Sequence, residues 1–282
     1  MGLGDTSVHP RYSILFSAYG VKIRINADDK TLFEEANRIC REALLGRIQD
    51  LATNGQEDIL YHLRLVEGNV ECELLGEIRG PFNSRSVFAL FLNSSVRAQV
   101  AARSKEWVFI HAGVVEWKGK AIVIPGRSFH GKTTLVSELL RSGAKYKSDE
   151  FAILSTNGLI HSFERDLAVR LNSRKPSVPI APEEFGSTRA TSPIEAGMVV
   201  FANYVPGSDW NPTRISLGNG ILAMIPEILS ITLNTEFALK VLNTTFNRAI
   251  IVKSDRGEAK DTAPRILAYF DESLMAGAEK LA

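Results

Sequence analysis

The sequence predicts an α/β protein with two domains: a small α/β domain over residues 1–105 and a larger domain with a mixed sheet over residues 106–282. Patterns typical of strands and of helices alternate along the chain, as they do in α/β proteins. A glycine-rich segment, Gly126–Thr133, also lies directly between a predicted strand and a predicted helix. The chain of 282 residues has room for two domains, because domains commonly contain about 100–200 residues.

Four predicted features make up the small domain. Residues that alternate between apolar and polar predict strands, and apolar residues three or four positions apart predict helices. The features are a strand pair at Tyr12–Ile25 bent near Gly20, a helix from Asp29 to Leu44, a hairpin of Ile59–Val66 and Asn69–Leu75, and a helix at Ser84–Ala102.

The larger domain is predicted to begin with two strands, Trp107–Trp117 and Lys120–Ile124, and to continue into a helix at Thr133–Ser142 that Gly143 ends. Later strands are predicted around Phe151–Leu154, Val199–Tyr204 and Ala249–Val252. The proline-rich segment Asn172–Gly197 predicts a long loop or lid, and helices are predicted at Ile225–Leu242 and Ala263–Leu274.

The composition excludes several classes of function. Hydrophobic residues make up 45% of the chain and charged residues 23%, which is typical of a globular protein rather than a disordered one. The 33 Lys and Arg residues nearly balance the 32 Asp and Glu residues, so no long-range field would attract nucleic acid or an anionic membrane. We therefore expect neither nucleic acid nor a membrane as a partner.

The two cysteines and the start of the chain indicate the expected compartment. Cys40 and Cys72 have neither the number nor the spacing of a disulfide framework or metal site, so we predict buried free thiols. The segment Met1–Arg11 lacks the layout of a signal peptide, and no apolar run approaches the roughly 18 residues of a membrane span. A cytoplasmic protein is expected.

The segment Gly126–Thr133 fits the pattern G-x-x-x-x-G-K-T, which binds phosphates when it joins a strand to a helix. Its glycines allow a tight turn whose N–H groups, with the helix N-terminus, point at phosphate oxygens. Lys132 would reach the β- and γ-phosphates, and the Thr133 hydroxyl would ligate magnesium. The expected cofactors are ATP, or another nucleoside triphosphate, and Mg²⁺. The predicted binding residues are Gly126, Arg127, Ser128, Phe129, His130, Gly131, Lys132, Thr133 and Thr134.

An acidic pair, Asp149 and Glu150, follows Lys132 after only 17 positions. This order of strand, glycine loop, helix, glycine and acidic pair is similar to the HPr kinase/phosphorylase family, whose P-loop core is shared with phosphoenolpyruvate carboxykinases. The segment Phe109–Val115 also resembles the histidine-led strand that precedes the loop in that family. The resemblance extends over roughly residues 105–270 and is strongest at the loop and the acidic pair.

The resemblance implies catalytic roles for Lys132, Asp149 and His111. Asp149 would orient or deprotonate a serine hydroxyl, and His111 would lie near the transferred phosphate. Glu150 would help Thr133 to hold magnesium. A kinase does need a base near the acceptor and oxygen ligands for its metal. Three arginines are candidates for neutralising charge on the γ-phosphate: Arg165, Arg170 and Arg174. The alternative is that they are ordinary surface arginines.

The resemblance predicts a kinase that transfers the γ-phosphate of ATP to a serine, or a threonine, of a small protein or ribosomally made peptide. Phe129 and His130 stand where the family has glycine and a small residue, and Glu150 stands where it has Asp. These departures keep two alternatives open, a nucleotide sensor that transfers nothing and a small-molecule kinase. The small domain is a candidate docking platform. The family's hexamer, a dimer and a monomer all remain open.

Overall fold

The computed structural model describes residues 10–126, 131–170 and 177–279, and it divides into two compact units, Met1–Glu106 and Trp107–Ala282. Helices and strands are mixed in both units. The predicted α/β class is therefore confirmed. Within the described ranges, no helix has the length and apolar character that crossing a membrane requires.

The first unit is a six-stranded sheet with two helices, α1 and α2, that pack against each other. The strands lie in the order β3-β1-β2-β4-β5-β6, and only the pair β2–β4 is parallel. The elements are β1 (Tyr12–Ala18), β2 (Val21–Ala27), α1 (Lys30–Ala43), β3 (Gln49–Leu51), β4 (Ile59–Val66), β5 (Asn69–Leu74), β6 (Glu77–Phe82) and α2 (Arg85–Arg103).

The four features predicted for this unit are present. Asp29 caps α1, because its side chain accepts a hydrogen bond of 2.8 Å from the Leu32 N–H. Cys40 and Cys72 are buried free thiols, as predicted. The strands β3 and β6 were not predicted, since they are largely exposed and lack the alternation of apolar residues that indicates a strand.

The second unit is built on an eight-stranded mixed sheet. The elements are β7 (Trp107–Trp117), β8 (Lys120–Pro125), α3 (Lys132–Arg141), β9 (Lys145–Ser148), β10 (Phe151–Ser155), β11 (Leu159–His161), β12 (Leu167–Val169), β13 (Val178–Ile180), β14 (Ile194–Tyr204), β15 (Thr213–Arg214), α4 (Leu217–Met224), α5 (Thr235–Phe246), β16 (Ile250–Arg256) and α6 (Ala259–Glu279). Short 3₁₀ helices lie at Pro182–Phe185 and Ile225–Glu227.

The strands of this sheet run in the order β11-β10-β7-β8-β14-β16-β15, and β9 pairs with β7. β8, β14 and β16 are parallel neighbours, and the other pairs are antiparallel. β9 and β10 both pair with the edge of β7 that lies opposite β8, so the acidic pair between them faces the middle of β7.

Both faces of the sheet are covered. Ile122 and Ile124 of β8 belong to an apolar cluster with residues of α3 and α6, whereas Ala121 and Val123 belong to a cluster with residues of α4 and α5. Burial on both faces explains why β8 is an uninterrupted apolar run. Each large apolar side chain buried in this way contributes about 1.5–3 kcal/mol.

Two sequence predictions for this unit are wrong. The segment Asn172–Gly197 is not one long loop: residues 172–176 lie outside the described ranges, and the rest contains β13, a 3₁₀ helix and the start of β14. Proline fits there because β13 belongs to a separate two-stranded sheet. The predicted helix Ile225–Leu242 is in fact a 3₁₀ turn, a break and α5. The predicted helix Ala263–Leu274 lies inside α6.

Candidate functional site

The start of the predicted phosphate loop and the acidic pair meet at the middle of β7. The Gly126 N–H donates a hydrogen bond of 3.2 Å to the His111 carbonyl, and the Ala112 N–H donates one of 3.2 Å to the Glu150 carbonyl. Gly113, the next residue of β7, allows α3 to approach, because an added Cβ would lie 2.5 Å from Cγ2 of Val136. The sheet and α3 therefore gather these residues at one point.

Lys132, the first residue of α3, is almost fully buried at this point. Its Nζ donates to the Gly126 carbonyl over 3.0 Å and lies 3.3 Å from Nε2 of His111. Burial lowers the pKa of Lys132, and the charges of Asp149, Glu227 and Glu150 oppose this shift. The ammonium of Lys132 is thus hydrogen-bonded to Gly126, the first glycine of the loop.

His111 is held neutral beside this ammonium. Burial and then the charge of Lys132 lower the pKa of His111 from 6.5 to about 4. Neutral imidazole can accept a hydrogen bond from Lys132 at Nε2, which assigns the ring proton to Nδ1. Nδ1 lies 3.8 Å from Oε2 of Glu227. Glu227 was not among the predicted site residues.

A hydrogen bond joins Thr133 to Asp149. The Thr133 hydroxyl donates to Oδ2 of Asp149 over 2.9 Å, and the Ala168 N–H donates to the same oxygen over 3.3 Å. Oδ1 is buried without a hydrogen-bond partner among the described residues. Burial raises the pKa of Asp149 from 3.8 to about 6, against the opposing effects of Thr133 and Lys132. Asp149 is therefore a buried carboxyl with one oxygen available to a ligand.

Thr133 and Glu150, the two predicted magnesium ligands, have different partners in the structure. Thr133 contacts Asp149, whereas Oε2 of Glu150 lies 3.9 Å from Nε of Arg165. Across the described ranges, no group of three or more His, Cys, Asp or Glu side chains could hold a metal by itself. Mg²⁺ still fits here, because it commonly takes one or two protein oxygens together with substrate phosphates and water.

Two cavities of opposite charge flank the Lys132–His111 contact. One has a volume of about 420 Å³ and is lined by His111, Glu150 and Glu227 with four apolar residues, Phe151, Pro226, Ile228 and Leu229. Its described lining contains two carboxylates and no cation. The other has a volume of about 160 Å³, and its described lining contains three cations, Lys132, Lys253 and Arg256, and no carboxylate.

The remaining predicted residues have separate outcomes. Gly131 precedes α3 with φ of 72°, a conformation that suits glycine, and Thr134 is exposed. Arg170 is exposed just after β12. The other predicted residues lie outside the described ranges: Arg127, Ser128, Phe129, His130 and Arg174.

The raised pKa of Asp149 predicts how stability depends on pH. The unfolded carboxyl titrates near its ordinary value and the folded one near 6. Its contribution to stability is thus complete below about pH 4 and is lost as the pH rises through about 6. Relative to Asp149→Asn, the parent's free energy of unfolding should fall by about 2 kcal/mol between pH 4.5 and 7.5. Urea denaturation measures this difference.

The control for this experiment is Asp209→Asn, which removes a carboxyl that is 95% exposed. Its unfolding free energy should follow that of the parent at every pH. Parallel pH curves for the parent and Asp149→Asn would contradict a raised pKa of this carboxyl.

The sequence and the structure were both compared with known proteins. No family model matches this sequence, and no curated protein matches it. One similar solved structure is the Hpr(Ser) kinase/phosphatase from Coxiella burnetii, which is 14% identical, with 61% of this chain and 94% of that chain covered and a TM-score of 0.34. These comparisons do not show a family for this chain, and the resemblance to the HPr kinase/phosphorylase family stays a prediction.

Proposed function

We propose that this chain is a P-loop phosphotransferase that moves the γ-phosphate of ATP, or of another nucleoside triphosphate, to a hydroxyl group. The observation that supports it best is the convergence of Lys132, Thr133 and Asp149 at the N-terminus of α3. A buried ammonium, a helix N-terminus and a hydroxyl paired with a carboxylate are the groups that bind a magnesium triphosphate.

The phosphates would contact Lys132 and the first N–H groups of α3, with residues 127–130 as further predicted donors. The Thr133 hydroxyl donates its hydrogen bond to Asp149, so the lone pairs of the Thr133 oxygen remain available to a cation. Thr133 would thus hold Mg²⁺, with Glu150 kept as the predicted second ligand. When bound, the metal would neutralise charge on the phosphate oxygens.

Asp149 is the better candidate for the base. Its pKa of about 6 leaves it mostly ionised at pH 7, whereas a pKa of about 4 makes His111 a weak base. The acceptor oxygen would bond to the γ-phosphorus as the bond between phosphorus and the β,γ-bridging oxygen breaks. The hydroxyl proton would pass to Oδ1 of Asp149, and the nucleoside diphosphate would leave with the bonding electrons.

The larger cavity, which His111, Glu150 and Glu227 line, is the proposed acceptor site. Its volume of about 420 Å³ lies within the usual range for ligand pockets, about 300–1,000 Å³. Its carboxylates, Glu150 and Glu227, would repel an anionic acceptor and favour a neutral or basic one. A serine or threonine in a small protein or a ribosomally made peptide is the acceptor that we propose.

The test is phosphoproteomic comparison of cells that carry the parent chain, Lys132→Ala or Asp149→Asn, followed by labelling of the purified acceptor with γ-³²P-ATP. We expect serine phosphate that is present only with the parent. Tight ATP binding without ADP release or labelling would instead indicate a nucleotide sensor. Label found only on hydroxylated metabolites would indicate a small-molecule kinase.

A further inference from the structure

Arg256, the last residue of β16, is a buried cation. Together with Lys132 and Lys253, it lines the cavity of about 160 Å³, which is called the small cavity below. It is only 2% exposed, and its guanidinium lies 5.2 Å from the centre of the Tyr204 ring. Nη2 donates to the Gly131 carbonyl over 3.0 Å, and Nη1 donates to the Gly257 carbonyl over 2.9 Å. Nε is buried without a hydrogen-bond partner among the described residues. A buried charge with an unsatisfied donor is costly unless an anion joins it.

The bond from Arg256 fixes the peptide between Gly131 and Lys132. The Gly131 carbonyl accepts from Arg256 and also from the Leu135 N–H, at 3.0 Å in each case. Because a trans peptide is planar, holding this carbonyl directs the Lys132 N–H to the opposite side. That N–H is one of the first donors of α3, which have no partner within the helix. Arg256 therefore orients a donor that a phosphate at this helix would use.

Gly131 leaves room for the Arg256 guanidinium because it has no side chain. An added Cβ would lie 2.7 Å from Nη2 of Arg256, so the guanidinium would have to move away from it, and the φ of 72° at Gly131 also favours glycine. The predicted role of Gly131 was to let the loop turn tightly. The close approach of Arg256 gives a second reason for glycine at this position.

The small cavity lies at the carboxyl ends of parallel strands, where α/β sheets commonly bind ligands. Its lining comes from the carboxyl ends of the parallel strands β8, β14 and β16, together with α3. Its volume of about 160 Å³ is below the range of about 300–1,000 Å³ typical of whole-ligand pockets, so it suits one chemical group. Three cations without a carboxylate in the described lining suit a phosphate.

We propose that this cavity receives one phosphate group of the donor nucleotide and that Arg256 is a positioning residue for it. The inference rests on the proposed function, because it assumes a triphosphate at α3. Arg256 would donate its Nε–H, which has no partner among the described residues, to the phosphate and would hold the Gly131–Lys132 peptide in the binding orientation. Lys253 would add a second positive charge from β16.

The test uses inorganic triphosphate as the probe, so that contacts to a base or ribose cannot hide the effect. Isothermal titration calorimetry should show Arg256→Met binding triphosphate about 10–100-fold more weakly than the parent. The matched control is Arg214→Met, because Arg214 is an exposed arginine of the same sheet that also lies over a tyrosine, 6.0 Å from the Tyr269 ring centre. The control should bind within about twofold of the parent.

An NMR titration separates positioning from a purely structural role. The Lys132 amide signal of the parent should move on addition of triphosphate, and it should move much less in Arg256→Met at saturating triphosphate. Arg256→Lys keeps the charge but loses the paired donors, so it should restore binding only in part. Unchanged triphosphate affinity in a folded Arg256→Met would overturn the inference.

Three further outcomes of these experiments would reject the inference, the proposed function or both. If Arg256→Met does not fold, the Arg256 Nε–H signal of the parent is followed during the titration, and a signal that stays in place at saturation rejects the inference. A parent that binds no triphosphate would reject the proposed function together with the inference. A parent that binds triphosphate independently of Arg256 would reject the inference alone.

Discussion

Lys132→Met is expected to lower kcat/KM for nucleoside triphosphate turnover by about 10³-fold. Removing one preorganised donor to developing charge commonly costs about 10²–10³-fold in rate, and Lys132 also contributes a full positive charge. Methionine keeps much of the length of the side chain, so the packing of α3 should survive. The expected result follows from the position of Nζ, 3.0 Å from the carbonyl of the first loop glycine. Steady-state ADP release and calorimetric affinity for ATP measure it.

The control is Lys145→Met on β9, which removes an exposed lysine that pairs with Glu116. This variant should retain the parent's turnover and affinity. If Lys132→Met turned over ATP as fast as the parent, the triphosphate would have to bind elsewhere.

Asp149→Asn is expected to lower kcat by about 10²–10⁴-fold while ATP still binds. General-base catalysis contributes rate factors of this size, and the amide can still accept from Thr133 but cannot take a proton. The parent's kcat/KM, which reports the pKa of the free enzyme, should rise with pH through about 6 and level off above 7, because only the ionised carboxylate acts as the base. This dependence should disappear from the residual activity of the variant. Stopped-time assays from pH 5 to 8 measure both effects.

Two comparison variants make this result specific. Asp209→Asn should behave as the parent, since its carboxyl is almost fully exposed. Glu150→Gln keeps the base and should mainly raise the Mg²⁺ concentration needed for half-maximal rate. Normal kcat in Asp149→Asn would remove Asp149 from the base role.

The elements and the chemistry of the loop could be predicted because both depend on residues close together in sequence. The order of strand, loop and helix is visible in the run from Ala121 to Ser142, and the structure contains β8 and α3 on either side of the loop. The meeting of Lys132, Thr133 and Asp149 follows from the short interval, since one helix and a turn return the chain to β7. Local pattern therefore indicated which groups would be close.

Glu227 and Arg256 could not be predicted in this way. Arg256 is 125 positions from Gly131, and β16 brings it to the loop as a parallel neighbour of β14. In the sequence it is only a polar residue at the end of an apolar strand. Glu227 follows a proline in a 3₁₀ turn that the helical spacing of its neighbours concealed. A contact between distant segments leaves no periodic pattern, so both residues required the tertiary structure.

The segment Asn172–Gly197 shows that amino-acid composition alone does not predict whether a segment is a loop or a strand. Proline and serine predicted a loop or lid, yet Pro179 in its described part pairs with Ala168 of β12. The Ala168 N–H in turn donates to Asp149. A short edge strand tolerates proline, and its pairing depends on the partner strand rather than on its own residues. The segment thus supports β12, whose backbone contacts the acidic site.

The most direct test of the central claim is a crystal structure with Mg²⁺ and a non-hydrolysable ATP analogue. We expect Nζ of Lys132 within about 3 Å of β- or γ-phosphate oxygens, and the Thr133 hydroxyl both on the metal and donating to Asp149. We also expect Oδ1 of Asp149 to face the γ-phosphate. A nucleotide bound away from the N-terminus of α3, with the Lys132 ammonium still directed at Gly126 and His111, would show that α3 does not form the triphosphate site.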